Sequence, residues 1–425
     1  MPCSITPRVG PSSKLPGMVT PRGRIALAAG AGARWASRVT GRGAGAMIGG
    51  LVAMTLDRSI LGQLGRGRRT VVITGTNGKS TTTRMTAAAL ATVGPVATNA
   101  EGANMDAGLV AALAAAPGAP LAALEVDEMH VPHVSDAVSP AVIVLLNLSR
   151  DQLDRVGEIN HIERTLRAGL ARHPSAVVVA NCDDVLMTSA AYDSPDVVWV
   201  AAGGGWASDS VSCPRSGEII VRDGAHWYST GCDFKRPTPD WWFDDTHIHG
   251  PDGLTLPMTL TLPGTVNRGN ATQAVAAAVV LGADPAAAVA AVSAVDEVAG
   301  RYRTVQIGGH TARILLAKNP AGWQEALSMV DRDAAGVVIA VNGQVPDGED
   351  LSWLWDVRFE HFESVPVVAA GERGTDLAVR LGYAGVEHTL VHDTVAAIAS
   401  CPPGHVEVLA NYTAFLQLNR VLDRV

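Results

Sequence analysis

Lysine is nearly missing from this chain. Only four occur in 425 residues: Lys14, Lys79, Lys235 and Lys318. Arginine is plentiful, so each lysine that remains is unlike the background. Cysteine is scarce as well. Five are scattered through the chain (Cys3, Cys182, Cys213, Cys232 and Cys401). An odd, dispersed set excludes a disulfide framework and suits a reducing cytoplasm. No apolar run reaches the ~18 residues of a spanning helix, so no transmembrane segment is expected. No repeat of solenoid type is present. The net charge of −8 argues against general nucleic-acid binding.

That charge is unevenly spread. Residues 1–70 hold eleven basic residues and one acid, Asp57, a local net of +10, which leaves −18 on the remainder. Residues 1–20 are rich in Pro and Ser and are expected to be disordered. The stretch Ile25–Leu64 is expected to hold one or two helices. The Arg-, Ala- and Gly-rich start has the composition of a targeting peptide without a clean hydrophobic region and cleavage site. Two readings stand: a tail and first helix attracted to anionic lipid, or a solvated basic leader without a role.

The most informative stretch is VVITGTNGKSTTTRM, Val71–Met85. A short β-branched strand runs into Gly75-Thr76-Asn77-Gly78-Lys79-Ser80, and a helix follows from Thr81. Glycines let the backbone turn tightly and approach a ligand. A helix N-terminus after such a loop favours anions. Lys79 supplies a compact charge for phosphates, and Ser80 a hydroxyl for Mg²⁺. The spacing falls short of the full P-loop, because Ile73 stands where its first glycine belongs. The competing reading is a plain Gly-rich turn.

Strands expected at Val71–Thr74, Leu121–Val126, Val142–Asn147 and Val177–Asn181 alternate with helices, which means an α/β domain with a parallel sheet. Residues 195–262 change character and suggest an inserted β-subdomain. A helix is expected over Val266–Leu281 and another over Ala286–Val295. A linker at Val295–Tyr302 precedes a second α/β pattern, with strands at Arg313–Ala317, Val337–Asn342, Val365–Ala370 and Val406–Leu409. The expected domains are therefore 1–64, a basic tail and helix; 65–297, the nucleotide-binding domain; and 298–425, a C-terminal Rossmann-like domain.

Other stretches carry chemistry with a bland alternative beside each. In Leu124–Glu128, Glu125 ends a central strand, where ligands of open α/β sheets sit, and is a candidate Mg²⁺ ligand or part of an acidic surface turn. In Asn147–Glu158, Asp151 and Asp154 share a helical face, either as a metal and phosphate cluster or as capped-helix ion pairs. Asn267 and Asn270 share a face near a helix start, to cap it or to meet a base edge. Cys213 and Cys232 look like halves of two zinc knuckles, but Ser216 and Lys235 occupy the other positions. A structural zinc needs four ligands, so none is expected even with His226 nearby. Lys318 lies in a strand–loop–helix turn. In Pro346–Glu360, Trp353 and Trp355 are core anchors, or their acids face a partner.

Together these motifs resemble the Mur ligases: the GTNGKS loop, the strand-end Glu125, the Asn147-x-x-x-Asp151-Gln-Leu-Asp154 stretch, Asn267-x-x-Asn270, the Gly300-Arg301 pair and the Asn319-Pro320 loop. Within that family the pieces TNxEGANMxxG (Thr98–Gly108), NLxRDQLDR, LAKNPAG and DGxDxSWLWDxxFE are similar to the amidating MurT ligases. The resemblance implies a central P-loop ATPase domain with parallel sheet, and a C-terminal α/β domain. It implies ATP with Mg²⁺, held by Gly75, Thr76, Asn77, Gly78, Lys79, Ser80, Thr81, Asn267, Asn270 and Arg301, with Ser80 and Glu125 on the metal. It implies amidation of the D-glutamate α-carboxyl of the lipid II stem peptide through an acyl phosphate, in peptidoglycan synthesis, as the synthetase subunit of a glutamine-hydrolysing complex. Lys79, Glu125, Asp151 and Lys318 are then expected in catalysis. A GatD-like glutaminase would supply ammonia as heterodimer partner, with Asp350 or Asp356 completing its Cys-His-Asp arrangement. The enzyme would be cytoplasmic or peripheral at the inner membrane face.

Three departures from the family stand out. No lysine lies between Lys79 and Lys235 to be carbamylated. Two zinc-ribbon cysteines are absent, and Arg303 replaces a common Glu after the hinge pair. Two other functions are kept open: an amino-acid-adding ligase like folylpolyglutamate synthase, and a catalytically silent nucleotide-binding interaction protein.

Overall fold

The computed structural model describes residues 19–39, 46–99, 103–150, 158–204, 206–296, 302–360, 362 and 365–423. The tail 1–18, Asp151, Asp154 and the Gly300-Arg301 pair lie outside the described residues. The chain forms two compact units, Met1–Leu148 with Ile159–Asp296, and Ser149–Glu158 with Glu297–Val425.

The first unit opens with three helices, α1 (Pro21–Val39), α2 (Ala46–Leu56) and α3 (Ile60–Gly65). Alternation follows: β1 (Arg69–Thr74), α4 (Lys79–Ala91), β2 (Val96–Thr98), α5 (Asp106–Ala115), β3 (Leu121–Glu125), α6 (Val131–Val138), β4 (Val142–Leu145), α7 (Glu158–Ala171), β5 (Val177–Asn181), α8 (Val185–Ala191) and β6 (Val197–Val200). The six strands make one sheet in the order β2-β3-β1-β4-β5-β6. Every pairing in it is parallel. Central strands covered on both faces need continuous apolar sequence. Thr70–Thr74 of β1 and all of β3, β4 and β5 are buried accordingly.

β1 lies between β3 and β4, which the chain visits by crossovers in opposite directions. The sheet thus has its topological switch at β1, where ligands of open α/β sheets bind beyond the carboxyl ends. Val197–Val200 was expected to open the β-insertion. It is instead the outer strand of the main sheet, paired with β5. The inserted strands come after it. β7 (Ile220–Asp223) and β8 (His226–Ser229) form a hairpin; β9 (Trp242–Phe243), β10 (His247–His249) and β11 (Thr255–Pro257) form a three-stranded sheet. α9 (Thr265–Val280) and α10 (Pro285–Ser293) close the unit.

The second unit contains β12 (Tyr302–Ile307), β13 (His310–Leu316), α11 (Pro320–Ser328), β14 (Gly336–Ala340), β15 (Val367–Ala370), α12 (Gly374–Tyr383), β16 (His388–Leu390), α13 (Thr394–Ser400), β17 (Gly404–Ala410) and α14 (Tyr412–Leu422). Its sheet runs β12-β13-β17-β14-β15-β16. Only the β12–β13 edge hairpin is antiparallel. Most of the Tyr302–Ile307 strand was not anticipated, because it follows directly on a stretch with linker composition. Trp323 is fully buried in this unit's core, with its ring 5.6 Å from that of Trp353.

Candidate active site

β1 ends at Thr74, and the chain turns through Gly75 at φ 143° and Gly78 at φ 82° before α4. Both conformations belong to glycine. A Cβ on Gly75 would stand 2.8 Å from Leu146 Cβ, and one on Gly78 2.8 Å from Asn270 Oδ1. The loop is thus closely packed from beneath as well as turned. Asn147, just past β4, grips it. Its backbone carbonyl accepts from Thr76 N–H (2.8 Å), its Oδ1 from Asn77 N–H (3.0 Å), and its Nδ2 donates to the Asn77 carbonyl (3.0 Å). The register puts Thr74 of β1 opposite Leu145 of β4, so Asn147 arrives level with the loop.

α4 begins at Lys79 with Gly78 as its N-cap. Thr82 N–H makes the first helical bond, to Gly78 O. The N–H groups of residues 79–81 therefore have no intrahelical acceptor and face the loop, as at any helix start. Lys79 bends back. Its Nζ donates to Gly75 O at 2.6 Å and to Glu128 Oε1 at 3.1 Å.

Glu125 ends β3 opposite Ile73 of β1, and it is 3% exposed. Asn99, just past β2, fixes it: Asn99 Oδ1 accepts from Glu125 N–H at 2.8 Å, and Asn99 Nδ2 donates to Glu125 O at 2.9 Å. On α9, Asn267, Asn270 and Gln273 lie three residues apart and are buried. Asn267 does not cap the helix, whose N-cap is Gly264 without a side-chain bond. Its Nδ2 donates to Pro263 O, and Gln273 Nε2 donates to Leu145 O at 2.9 Å.

Gly75–Thr81, Glu125, Asn267 and Asn270 all belong to this one unit, and the chemistry of the donor set fits a polyphosphate with a divalent cation. Two bare glycine backbones, a helix start, one lysine and one hydroxyl are groups suited to phosphate. A buried carboxylate and the Ser80 hydroxyl are hard oxygen donors. Lys318, Asp350 and Asp356 lie in the other unit. Lys318 and Asp350 are exposed. Asp350 Oδ1 accepts from Ser352 N–H at 2.8 Å. Asp356 is half-buried and 3.9 Å from Arg150. Trp353 is buried as a core anchor, but Trp355 is 56% exposed, which corrects half of that expectation. A third acid of the same loop, Asp347, is buried; its carboxylate accepts from Thr413 N–H and hydroxyl.

Glu128, Asn147, Asn99 and Gln273 were given no role by the sequence reasoning. Three of the four follow a strand end by a few residues, and that polar punctuation after an apolar run was the available signal.

The zinc-knuckle positions form an apolar cluster. Cys213 packs with Val185, Ile220, Trp227 and Phe234. Cys232 is exposed. The Ser216 and Ser229 hydroxyls lie 3.0 Å apart. Burial opposes ionisation of Cys213, but hydrogen bonds from Ser216, Ser229 and backbone N–H groups outweigh it and bring the thiol down to about 7.

Residues 73–278 match the family model for the Mur ligase middle domain, and residues 316–415 that for the MurT ligase C-terminal domain. The chain is 30% identical over 417 residues to the lipid II isoglutaminyl synthase (glutamine-hydrolyzing) subunit MurT of Streptococcus pneumoniae, covering 89% of this chain and 93% of that one. It is 28% identical to the subunit of the same name from Staphylococcus aureus strain COL, covering 92% and 96%. Among solved structures it resembles a pseudomurein peptide ligase type C from Methanothermus fervidus (TM-score 0.65, 18% identity, 84% of this chain and 79% of that one). It also resembles MurF from Acinetobacter baumannii (TM-score 0.64, 17% identity, 88% and 80%). At such identities these two speak for the fold alone.

Proposed function

The chain belongs to the Mur ligases, in their MurT branch, and we propose that it is the synthetase subunit that amidates the D-glutamate α-carboxyl of the lipid II stem peptide. The same reading divides it into a basic N-terminal segment (1–64), a nucleotide-binding middle domain (65–297) and a C-terminal domain (298–425). The observation that carries the proposal is the glycine loop at the sheet's switch point, with Lys79 and Glu125 beside it.

A carboxylate is a poor acyl donor. Transfer of the ATP γ-phosphoryl group to the stem-peptide carboxylate gives an acyl phosphate and ADP. Ammonia then attacks the acyl carbon, phosphate leaves, and the D-isoglutamine amide remains. In this scheme Lys79 leaves its carbonyl and Glu128 partners for the phosphates, and the N–H groups of residues 79–81 take phosphate oxygens. Asn147 keeps the loop in shape, and Asn99 keeps Glu125 at the strand end. Ser80 and Glu125 would hold Mg²⁺, which offsets phosphate charge. Asn270 lies against Gly78 and donates to Asn267 Oδ1, and the two amides suit the nucleoside. Asp151, Lys318 and Arg301 keep the roles that the resemblance implies.

Ammonia would come from a GatD-like glutaminase bound at the loop of residues 346–360, with lipid II met at the cytoplasmic face of the membrane. Asp350 is favoured over Asp356 for orienting the partner's catalytic histidine, because it is exposed while Asp356 stands by Arg150. The test is to supply ATP, lipid II and ammonium chloride without any partner. Amidated product is expected. Dependence on an added amino acid would favour an amino-acid-adding ligase, and nucleotide binding without product a silent interaction protein.

A further inference from the structure

The first two helices are built inside out. On α1 the buried residues are Gly23, Ala26, Gly30 and Ser37, all small. The opposite face carries Ile25, Ala28, Gly32, Trp35 and Val39, spaced three and four apart, which is one continuous stripe along a helix. All five are exposed, Ile25 and Trp35 by 68% each and Val39 by 66%. α2 repeats the pattern. Gly49, Gly50 and Ala53 are buried, while Met47, Ile48 and Leu51 are exposed. Glycine backbones make the contacts within the first unit. A Cβ on Gly30 would stand 2.5 Å from Gly49 O, and one on Gly50 1.9 Å from Ala107 O of α5. The helices approach through their smallest residues and turn their largest outward.

The charges around this face are of one sign. Arg22, Arg24, Arg34 and Arg38 lie on α1, and Arg58 follows α2. The one acid of the described residues 19–66, Asp57, is 5% exposed and accepts hydrogen bonds from Ser59 and Gln63. Beside Trp35 an apolar groove of about 620 Å³ opens between α1, α2 and α5. No helix among the described residues is long and apolar enough to cross a membrane.

We infer that the α1–α2 hairpin is a membrane-docking surface that lies on an anionic bilayer. An exposed apolar stripe flanked by arginine, with a tryptophan on it, is the pattern of a helix lying in the lipid interface. Contiguous apolar surface of this kind is not left in water without a use. The absence of an exposed acid selects an anionic surface over a neutral one. The groove gives an acyl chain somewhere to enter. The inference rests on the proposed function only in that a lipid-linked substrate gives the docking a purpose.

The test is co-sedimentation of the full chain with vesicles of phosphatidylcholine, with and without phosphatidylglycerol. Binding is expected only with phosphatidylglycerol and should weaken as salt rises. Trp35→Glu with Leu51→Glu should abolish it. Arg24→Gln with Arg38→Gln should weaken it by roughly 25-fold, at roughly fivefold per arginine. These positions are on the surface, so unchanged circular dichroism is expected. Wild-type chain that fails to sediment, or that binds as well after either pair of changes, overturns the inference. So does a dimer in light scattering that the Trp35/Leu51 pair dissolves, since the face would then join two copies. Turnover of a water-soluble stem-peptide analogue with ammonium chloride runs alongside. Wild-type chain that docks but does not turn it over would fault the proposed function and leave the docking surface standing.

Discussion

Lys79 Nζ lies 3.1 Å from Glu128 Oε1, with each side chain 11% exposed. The pair is nearly buried, and the lysine in it is the one proposed to meet the phosphates. On that reading nucleotide competes with an internal carboxylate. Lys79→Ala should cut amidation by about 10²-fold or more, with ammonia or glutamine alike. Near wild-type turnover would remove Lys79 from the phosphate site.

Glu128→Gln should act in the other direction on binding. With the competing charge gone, ATP should bind about fivefold tighter, a change of about 1 kcal/mol. The ligand-free protein should lose about 1–3 kcal/mol of stability, because Lys79 is left with only neutral partners. Calorimetric titration and denaturant melts read the two effects. Unaltered affinity would mean that the ion pair does not oppose the nucleotide.

Asp350 and Asp356 are separable by ammonia source. Asp350→Ala should reduce glutamine-driven amidation by roughly 10²-fold or more and spare ammonia-driven turnover. Asp356→Ala should have the smaller effect on both. The reverse ranking would make Asp356 the acid that serves the partner.

The β7–β8 hairpin is held by rings. Trp227 is 3% exposed, donates from Nε1 to Cys182 O at 3.0 Å, and has its ring 4.9 Å from that of Phe234. Trp227→Ala should cost about 3–5 kcal/mol in local stability, seen as faster hydrogen exchange in the hairpin. A strong chelator should leave the melting temperature unchanged. A chelator-induced drop would mean that Cys213 and Cys232 take part in a metal site after all.

Asp184 caps α8 and also accepts from Leu148 N–H. Burial outweighs those bonds and raises its carboxyl to about 6. A raised folded-state value favours the protonated form, so this contribution is full below about pH 4 and lost as pH rises through about 6. Relative to Asp184→Asn, the wild type should lose on the order of 3 kcal/mol between those limits. A stability difference flat in pH would show that the carboxyl is not so shifted.

The strand, glycine turn and helix at residues 71–85 were legible because their message is local. Glycine, lysine and serine at fixed offsets between a strand and a helix mean much the same in any fold. Lys79–Glu128 was not legible, since it depends on β1 and β3 lying side by side, and spacing alone does not bring residue 128 back to residue 79. Asn147 was hidden for the same reason. β6 was misplaced because Val197–Val200 runs straight into glycines and tryptophans that resemble the insertion. Trp355 was grouped with Trp353 by adjacency in sequence, but the short 3₁₀ turn at Ser352–Trp355 points them to different environments. The basic charge alone suggested a first helix attracted to anionic lipid; its outward apolar face was missed because small residues occupy the buried side, where an amphipathic pattern expects large ones.

Gly50 touches Ala107 backbone to backbone, and α5 leads directly to the strand that ends in Glu125. With no intervening side chain to flex, the joint is a stiff mount. The seat of the first two helices on α5 is therefore set by main chain alone, and even one added methyl group at Gly50 would have to push the two apart.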